Sequence, residues 1–152
     1  MDIAYLHFRD IVLTDEMLIG YKALLSQLSN SISDTITAND MRNKLNRILV
    51  DDHYHIFFAI DADRIVGSCT LLLEETFLHD CSLNAHIENM VVDRQYRGQG
   101  IASVLLQMCI AHARQAGAYK IILDCVPQIQ DVYIKNGFEM KAVQMRMDLD
   151  HL

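Results

Sequence analysis

Apolar and polar positions change period several times along this chain, and each change marks an element. Residues Ile3 to Arg9 alternate in the manner of a strand. Thr14 then precedes Asp15 and Glu16, a capping side chain followed by two carboxylates where a helix dipole favours them. Met17, Tyr21, Leu24, Leu25 and Leu28 recur at helical spacing and give that helix one apolar face. A polar loop, Ser29 to Thr37, follows. Thr37 with Asp40 three residues on approximates a capping box for a second helix, whose stripe is Met41, Leu45, Ile48 and Leu49.

The period then drops to two. His55 to Ile60 and Ile65 to Leu73 predict strands joined by a turn at Asp61 to Arg64, a hairpin signal. Thr76 to Ala85 predicts a loop and His86 to Asp93 a further strand. Arg94 to Gly100 is polar and glycine-bearing. A helix is predicted from Ile101 to Ala116, with Val104, Leu105, Met108 and Ala111 inward and Gly117 as its stop. Lys120 to Asp124 reads as a buried strand, Gln130 to Asn136 as a short helix ended by Gly137, and Phe138 to Leu149 as extended chain. The order β-α-α-β-β-β-α-β-α-β predicts one α/β domain over residues 1–152 with a single sheet.

Composition narrows the function classes. The net charge is −7, so an acidic surface gains nothing from phosphate polyanions, and nucleic acid and anionic membranes are poor partners. No apolar run approaches the ~18 residues of a membrane span. No basic segment followed by an apolar run opens the sequence, so the expectation is a cytoplasmic protein. Cys69, Cys81, Cys109 and Cys125 form no CxxC pair and no zinc spacing with histidine, and read as free thiols of a reducing compartment. His53 and His55 flank a strand start, and His79 and His86 flank a loop. With no metal spacing among them, the histidines read as surface or packed residues, and no metal is expected.

Candidate chemistry concentrates in Val91 to Ala102, VVDRQYRGQGIA, where a strand passes through a two-glycine loop into a helix. Glycine lets backbone approach a ligand closely, and a helix start offers unpaired N–H groups at the positive end of its dipole. Together they suit a phosphate or pyrophosphate. The loop is neither the Walker form GxxxxGK(S/T) nor the dinucleotide form GxGxxG.

These residues resemble the GNAT superfamily of N-acetyltransferases, whose pyrophosphate loop reads Arg or Gln, two variable residues, Gly, one variable residue, then Gly or Ala. Here it is Arg97-Gly98-Gln99-Gly100-Ile101-Ala102. Downstream, Tyr133-Ile134-Lys135-Asn136-Gly137-Phe138 matches the superfamily's tyrosine-bearing helix and the Gly-Phe that opens its terminal strand. His86-Ile87-Glu88-Asn89-Met90-Val91-Val92 and Tyr119-Lys120-Ile121-Ile122-Leu123-Asp124-Cys125 are similar, more narrowly, to the glucosamine-6-phosphate N-acetyltransferase family.

The resemblance implies a GNAT fold: a mixed, mostly antiparallel sheet flanked by helices and splayed at a bulge in a central strand. It also implies acetyl-CoA as cosubstrate and direct transfer, in a ternary complex, to the amine of D-glucosamine 6-phosphate in UDP-GlcNAc biosynthesis. Met90, Val91, Val92, Arg97, Gly98, Gln99, Gly100, Ile101, Ala102 and Tyr133 would hold acetyl-CoA. The Met90 N–H would face the thioester oxygen, Val92 would pair with the pantetheine arm, and Tyr133 would serve the leaving thiolate. Asp124 would orient the amine, by its carboxylate or its backbone carbonyl, Glu88 and Asn89 would line the sugar pocket, and Ser29, Lys120 and Arg146 would complete it. The family is generally a homodimer whose C-terminal strands complete the partner's pocket.

Most departures from the family fall on the sugar side. Leu83-Asn84-Ala85 stands where basic residues are frequent, Asn89 where an aspartate is usual, and Asp148 where a basic residue helps hold the phosphate; one further departure falls on the cofactor side, Ile129 where the family has a cofactor-binding asparagine. Arg146 shares a strand face with Asp148 and becomes the candidate cation. A GNAT enzyme for a polyamine, an aminoglycoside or a peptide N-terminus stays open, as does a non-catalytic acyl-CoA-binding module.

Overall fold

The structure is a computed structural model that describes residues 2–29 and 32–149. Its sheet has five strands in the order β1 (Ile3–His7), β2 (Tyr54–Asp61), β3 (Arg64–Glu75), β4 (Leu83–Val92) and β5 (Ala118–Leu123). The first four pair antiparallel, and β5 joins β4 in parallel. Helices α1 (Asp15–Ser26) and α2 (Ala38–Leu49) carry the apolar cluster on one side, where Met17, Leu18, Tyr21 and Leu24 meet Ile56, Phe58, Ile60 and Val91. Helix α4 (Ile101–Gln115) covers the other side, over Phe57, Leu71, Ala85 and Ile87. Between them in sequence lies α3 (Leu78–Cys81), a single turn whose His79, Asp80 and Cys81 all have positive φ. The short α5 (Gln130–Ile134) returns to the α4 side through Tyr133.

Local chemistry sets the helix starts as expected. Thr14 accepts from the Met17 N–H at 3.2 Å. Thr37 and Asp40 form the reciprocal box, with N–H to side-chain distances of 2.9 and 3.2 Å. Asn30 and Ser31 of the predicted polar loop lie outside the described residues.

Four expectations need correction. Strand β4 begins at Leu83, because Leu83, Asn84 and Ala85 pair with Glu75, Glu74 and Leu73, and Asn84 donates to Glu74 at 2.8 Å. The inward face of α4 is Ile101, Leu105, Leu106, Cys109 and Ala113, with Val104 and Ala111 exposed. Strand β5 is an edge strand with half-exposed side chains, such as Ile122. Residues 138–149 form no strand, and Met140, Val143, Met145, Met147 and Leu149 stand in solvent.

Three histidines far apart in sequence meet where β1, β2 and the end of α4 converge. His7 Nε2 lies 3.2 Å from His55 Nδ1, and His55 Nε2 lies 3.2 Å from His112 Nε2. Arg9 adds a positive charge 3.4 Å from His55 Nδ1. Burial, then the neighbouring His112, His7 and Arg9, push His55 down to about 4. His7 and His112 are also lowered, each mainly by burial. The folded state therefore holds these rings neutral, whereas the unfolded chain protonates them near 6.5. Their contribution is complete above about pH 6.5 and is lost as pH falls toward about 4. Urea unfolding is expected to give a lower midpoint at pH 5 than at pH 7.5, and His112→Leu is expected to flatten that slope.

Candidate active site

The site begins with a register slip. On β3, Cys69 alone separates Ser68 from Thr70, whereas on β4 both Asn89 and Met90 separate Val91 from Glu88. Two residues opposing one is a β-bulge, and Asn89 absorbs it with φ 51°. Asparagine tolerates this left-handed conformation better than most residues. The extra residue reverses the alternation. Ala85 and Ile87 face the α4 layer before the bulge, Met90 and Val92 face it afterwards, and Val91 turns to the α1 layer.

Pairing with β5 stops just short of this point. The parallel ladder ends at Ile87 and Leu123, so β4 runs on from Glu88 to Val92 without its neighbour. A cavity of about 460 Å³ opens in the gap. Met90, Val91, Val92, Arg97, Gly98, Gly100, Ile101, Ala102 and Tyr133 line it, all expected from the sequence. Gln99 is the one expected loop residue outside its lining. Gln27, Leu28, Tyr96, Ser103 and Val132 also line it and had not been singled out as site residues, and Ile129 joins them from the position where the family has a cofactor-binding asparagine. Val132 could have been found from Ile129 and Tyr133, since the i, i+3, i+4 spacing sets the three on one helical face. Gln27 could not, because tertiary folding alone brings α1 there.

The floor of this cavity suits an anion. Gly98 and Gly100 have φ 78° and 81°, and no heavy atom lies within 4 Å of a Cβ built at either. Backbone conformation, not space, therefore requires glycine there. No side chain caps α4 at Gly100, so its first N–H groups are free of side-chain partners. Arg97 folds back, its Nε donating to the Val92 carbonyl at 3.1 Å.

A buried carboxylate fixes the loop. Asp93 accepts from Arg64 at 2.6 Å, from Gln27 at 3.2 Å and from the Gln95 N–H at 2.9 Å. Burial alone would raise its pKa, but the Gln95, Gln27 and Arg64 partners outweigh it and hold Asp93 below the usual carboxylate range. Gln27 in turn accepts from the Arg94 N–H at 3.0 Å, tying the end of α1 to the loop.

Tyr133 is 8% exposed, and its phenol is pushed up to about 12, first by burial and then by Cys125 and Cys69. It stays protonated at neutral pH and keeps an O–H to donate. Glu88 and Asp124 approach each other across the end of the β4–β5 ladder, with His86 between them at 3.3 and 3.7 Å. Gln144 from the C-terminal segment donates to Asp124 at 3.0 Å. The remaining sugar-side candidates scatter. Asn89 is the bulge residue. Ser29 closes α1, its N–H donating to Leu25 at 3.2 Å. Lys120 lies over the Tyr119 ring and lines a second cavity of about 330 Å³ with Arg114 and Phe138. Arg146 is exposed and paired with Asp148.

A strand that splays from its neighbour at a bulge, leading into an uncapped glycine-loop helix, defines a GNAT acetyltransferase, and the chain belongs to that family: residues 22–138 match the model of the Acetyltransferase (GNAT) family. Among curated relatives, it is 36% identical over 128 residues to glucosamine 6-phosphate N-acetyltransferase 1 of Oryza sativa subsp. japonica, covering 83% of this chain and 77% of that one. It is 34% identical over 152 residues to glucosamine 6-phosphate N-acetyltransferase of Trypanosoma brucei brucei, covering 97% and 99%. The crystal structure of glucosamine-6-phosphate N-acetyltransferase from Arabidopsis thaliana superposes with a TM-score of 0.89 at 25% identity, over 99% of this chain and 100% of that one.

Gly100→Ala is expected to impose about 1–2 kcal/mol of left-handed strain without a clash. The melting temperature is expected to fall by roughly 2–8 °C. Calorimetric titration is expected to show weaker acetyl-CoA binding, because the nest of N–H groups is distorted.

Proposed function

We propose that the chain transfers the acetyl group of acetyl-CoA to the amine of D-glucosamine 6-phosphate, giving N-acetyl-D-glucosamine 6-phosphate. The observation that carries this reading is the stretch Glu88 to Val92, paired with β3 but free of β5, which opens the acyl cavity on one side and meets the Glu88–Asp124 carboxylates on the other. The relatives that align over 83% and 97% of this chain are glucosamine 6-phosphate N-acetyltransferases, and they supply the substrate.

Each site residue has a task in this reading. The pyrophosphate lies against Arg97, Gly98, Gln99, Gly100, Ile101 and Ala102, where backbone donors add to the one cation of the loop. The pantetheine arm extends along Met90, Val91 and Val92, with the Met90 N–H toward the thioester oxygen. One donor aimed at a developing oxyanion is worth about 2.7–4 kcal/mol. A free thiol titrates near ~8.5, below the phenol, so Tyr133 serves the departing sulfur chiefly as a hydrogen-bond donor. Glu88, Asn89 and Asp124 receive the amine end of the sugar. Ser29, Lys120 and Arg146 serve its polar and phosphate groups, and Arg146 must leave Asp148 to do so. The product feeds UDP-GlcNAc biosynthesis. The four free thiols, with Cys69 and Cys109 unbridged at 3.3 Å, suit a reducing cytoplasm.

The same reading makes the protein a homodimer. Strand β5 leaves one edge unpaired among the described residues, and residues 143–149 alternate apolar and polar side chains with the apolar ones in solvent. A second copy supplies what each lacks. Sedimentation is expected to give a dimer, and Met145→Lys with Met147→Lys to give monomer with much reduced turnover.

A thiol-release assay tests the reaction. Turnover with glucosamine 6-phosphate is expected to exceed that with glucosamine, spermidine or a short peptide. Tyr133→Phe is expected to lower kcat by about 10²-fold with acetyl-CoA affinity retained. Equal turnover with and without the sugar phosphate would remove the phosphate from the assignment. Binding without turnover on any amine would leave an acyl-CoA module.

A further inference from the structure

His86 has no part in the proposed chemistry so far, yet it occupies the centre of the sugar side. It lies two residues before Glu88 on the same face of β4 and opposite Ile122 of β5. Its Nε2 is 3.3 Å from Glu88 Oε1 and 3.7 Å from Asp124 Oδ2, and it makes no aligned hydrogen bond with either. That nitrogen is closed to solvent, whereas the two carboxylates are 44% and 43% exposed. The geometry is layered: two acids face outward, and one imidazole nitrogen sits behind and between them with unused capacity for a proton.

Acetyl transfer creates a need for that capacity. A sugar amine beside electron-withdrawing oxygens titrates near the α-amino range of ~7.7–8.0 and arrives largely as ammonium. It must lose one proton before its lone pair can attack the thioester. Two carboxylates bind an ammonium well, but carboxylates as a class are far weaker bases than amines and a poor place to leave a proton.

We propose, resting on the acetyltransferase reading above, that His86 is a positioning residue that receives this proton through Glu88 or Asp124. The ammonium N–H bond breaks and its proton passes to a carboxylate oxygen. The same carboxylate delivers a proton to His86 Nε2. The freed amine attacks the thioester carbon, and the C–S bond then breaks. The second proton lost by nitrogen balances the one gained by sulfur. The proton on His86 leaves to solvent by the reverse path after each turnover, so one proton is released overall.

The groups facing this nitrogen are few. Strand β4 supplies Glu88, and the end of β5 supplies Asp124 beyond Ile122, with Gln144 behind it. Strand β3 presents Leu72 in register with His86. Strand β2 supplies Tyr54, whose phenol is pushed up first by burial and, against a Thr70 hydrogen bond, by the Glu88 charge.

His86→Gln separates proton acceptance from packing, because the amide keeps a donor and similar bulk but cannot change its protonation state. With glucosamine 6-phosphate and acetyl-CoA at pH 7, kcat is expected to fall by about 10²-fold, while calorimetric acetyl-CoA affinity and the sugar KM stay within about threefold. The deficit is expected to shrink as pH rises beyond the amine's own range, where the substrate arrives neutral. His86→Asn, the second variant should the first fail to fold, is expected to show the same pH-dependent deficit. Wild-type kcat in a folded variant overturns the proposal, as does an equal deficit at every pH, which a purely structural role would give. Failure of the wild-type chain to acetylate any amine overturns the acetyltransferase reading and this role with it, whereas wild-type turnover with an unaffected variant overturns the role alone.

Discussion

One inserted residue organises this molecule. A strand that kept its register from Leu83 to Val92 would offer β5 an unbroken edge and leave no gap. The slip at Asn89 ends that continuity, and the β4–β5 ladder stops at Ile87 and Leu123. A left-handed residue inside a strand is unfavourable by itself, and the surrounding sheet must hold it in place. Antiparallel pairing with β3 resumes on both sides of it, so the strain is held between two correctly registered ladders. The return is an unpaired backbone edge lining a cavity, which is what an extended, amide-bearing ligand needs in order to bind as a further strand.

A splayed sheet still has to aim the loop that follows it. Asp93 does this from inside, at 3% exposure, where an unpaired carboxylate would be very costly. Arg64 from the start of β3, Gln27 from the end of α1 and the Gln95 N–H all converge on it. Gly67 closes the other side. A Cβ there would come within 3.1 Å of Ile101 and 3.3 Å of Leu105, so its absence lets the first turn of α4 lie close on β3. The uncapped helix start is thereby fixed relative to the bulge. Both halves of the acyl cavity are anchored to the same two strands.

What the sequence disclosed follows the range of the interactions. The Thr14 cap and the Thr37–Asp40 box depend on residues three apart, and both formed as read. The loop glycines were legible for the same reason. The phase of α4 was not: Val104 and Leu105 are both apolar neighbours, and only the proximity of Gly67 selects the face bearing Ile101 and Leu105. Nor could periodicity show that Leu83-Asn84-Ala85 is a strand, since its pairing partners, Glu75 to Leu73, lie across a left-handed turn. His7, His55 and His112 looked like singletons because 48 and 57 residues separate the contacting pairs. The stretch after Gly137 reads as a strand from its alternation, yet alternation specifies a face to bury and not the surface that buries it.

The charge balance of the site follows from the same geography. The chain is acidic, yet the cosubstrate of the proposed reaction carries phosphates, and in that reading the backbone donors at the uncapped start of α4 meet them with few cations. Negative side chains can then gather at the opposite end of the gap, where Glu88 and Asp124 suit a cationic amine. Catalysis reverses the requirement within one turnover, because the amine that was welcomed as a cation must react as a neutral nucleophile. A site built only of carboxylates would stabilise the wrong state of its substrate. The imidazole behind them removes that contradiction: it lies too deep to compete for the ammonium, and close enough to take its proton once the sugar is in place.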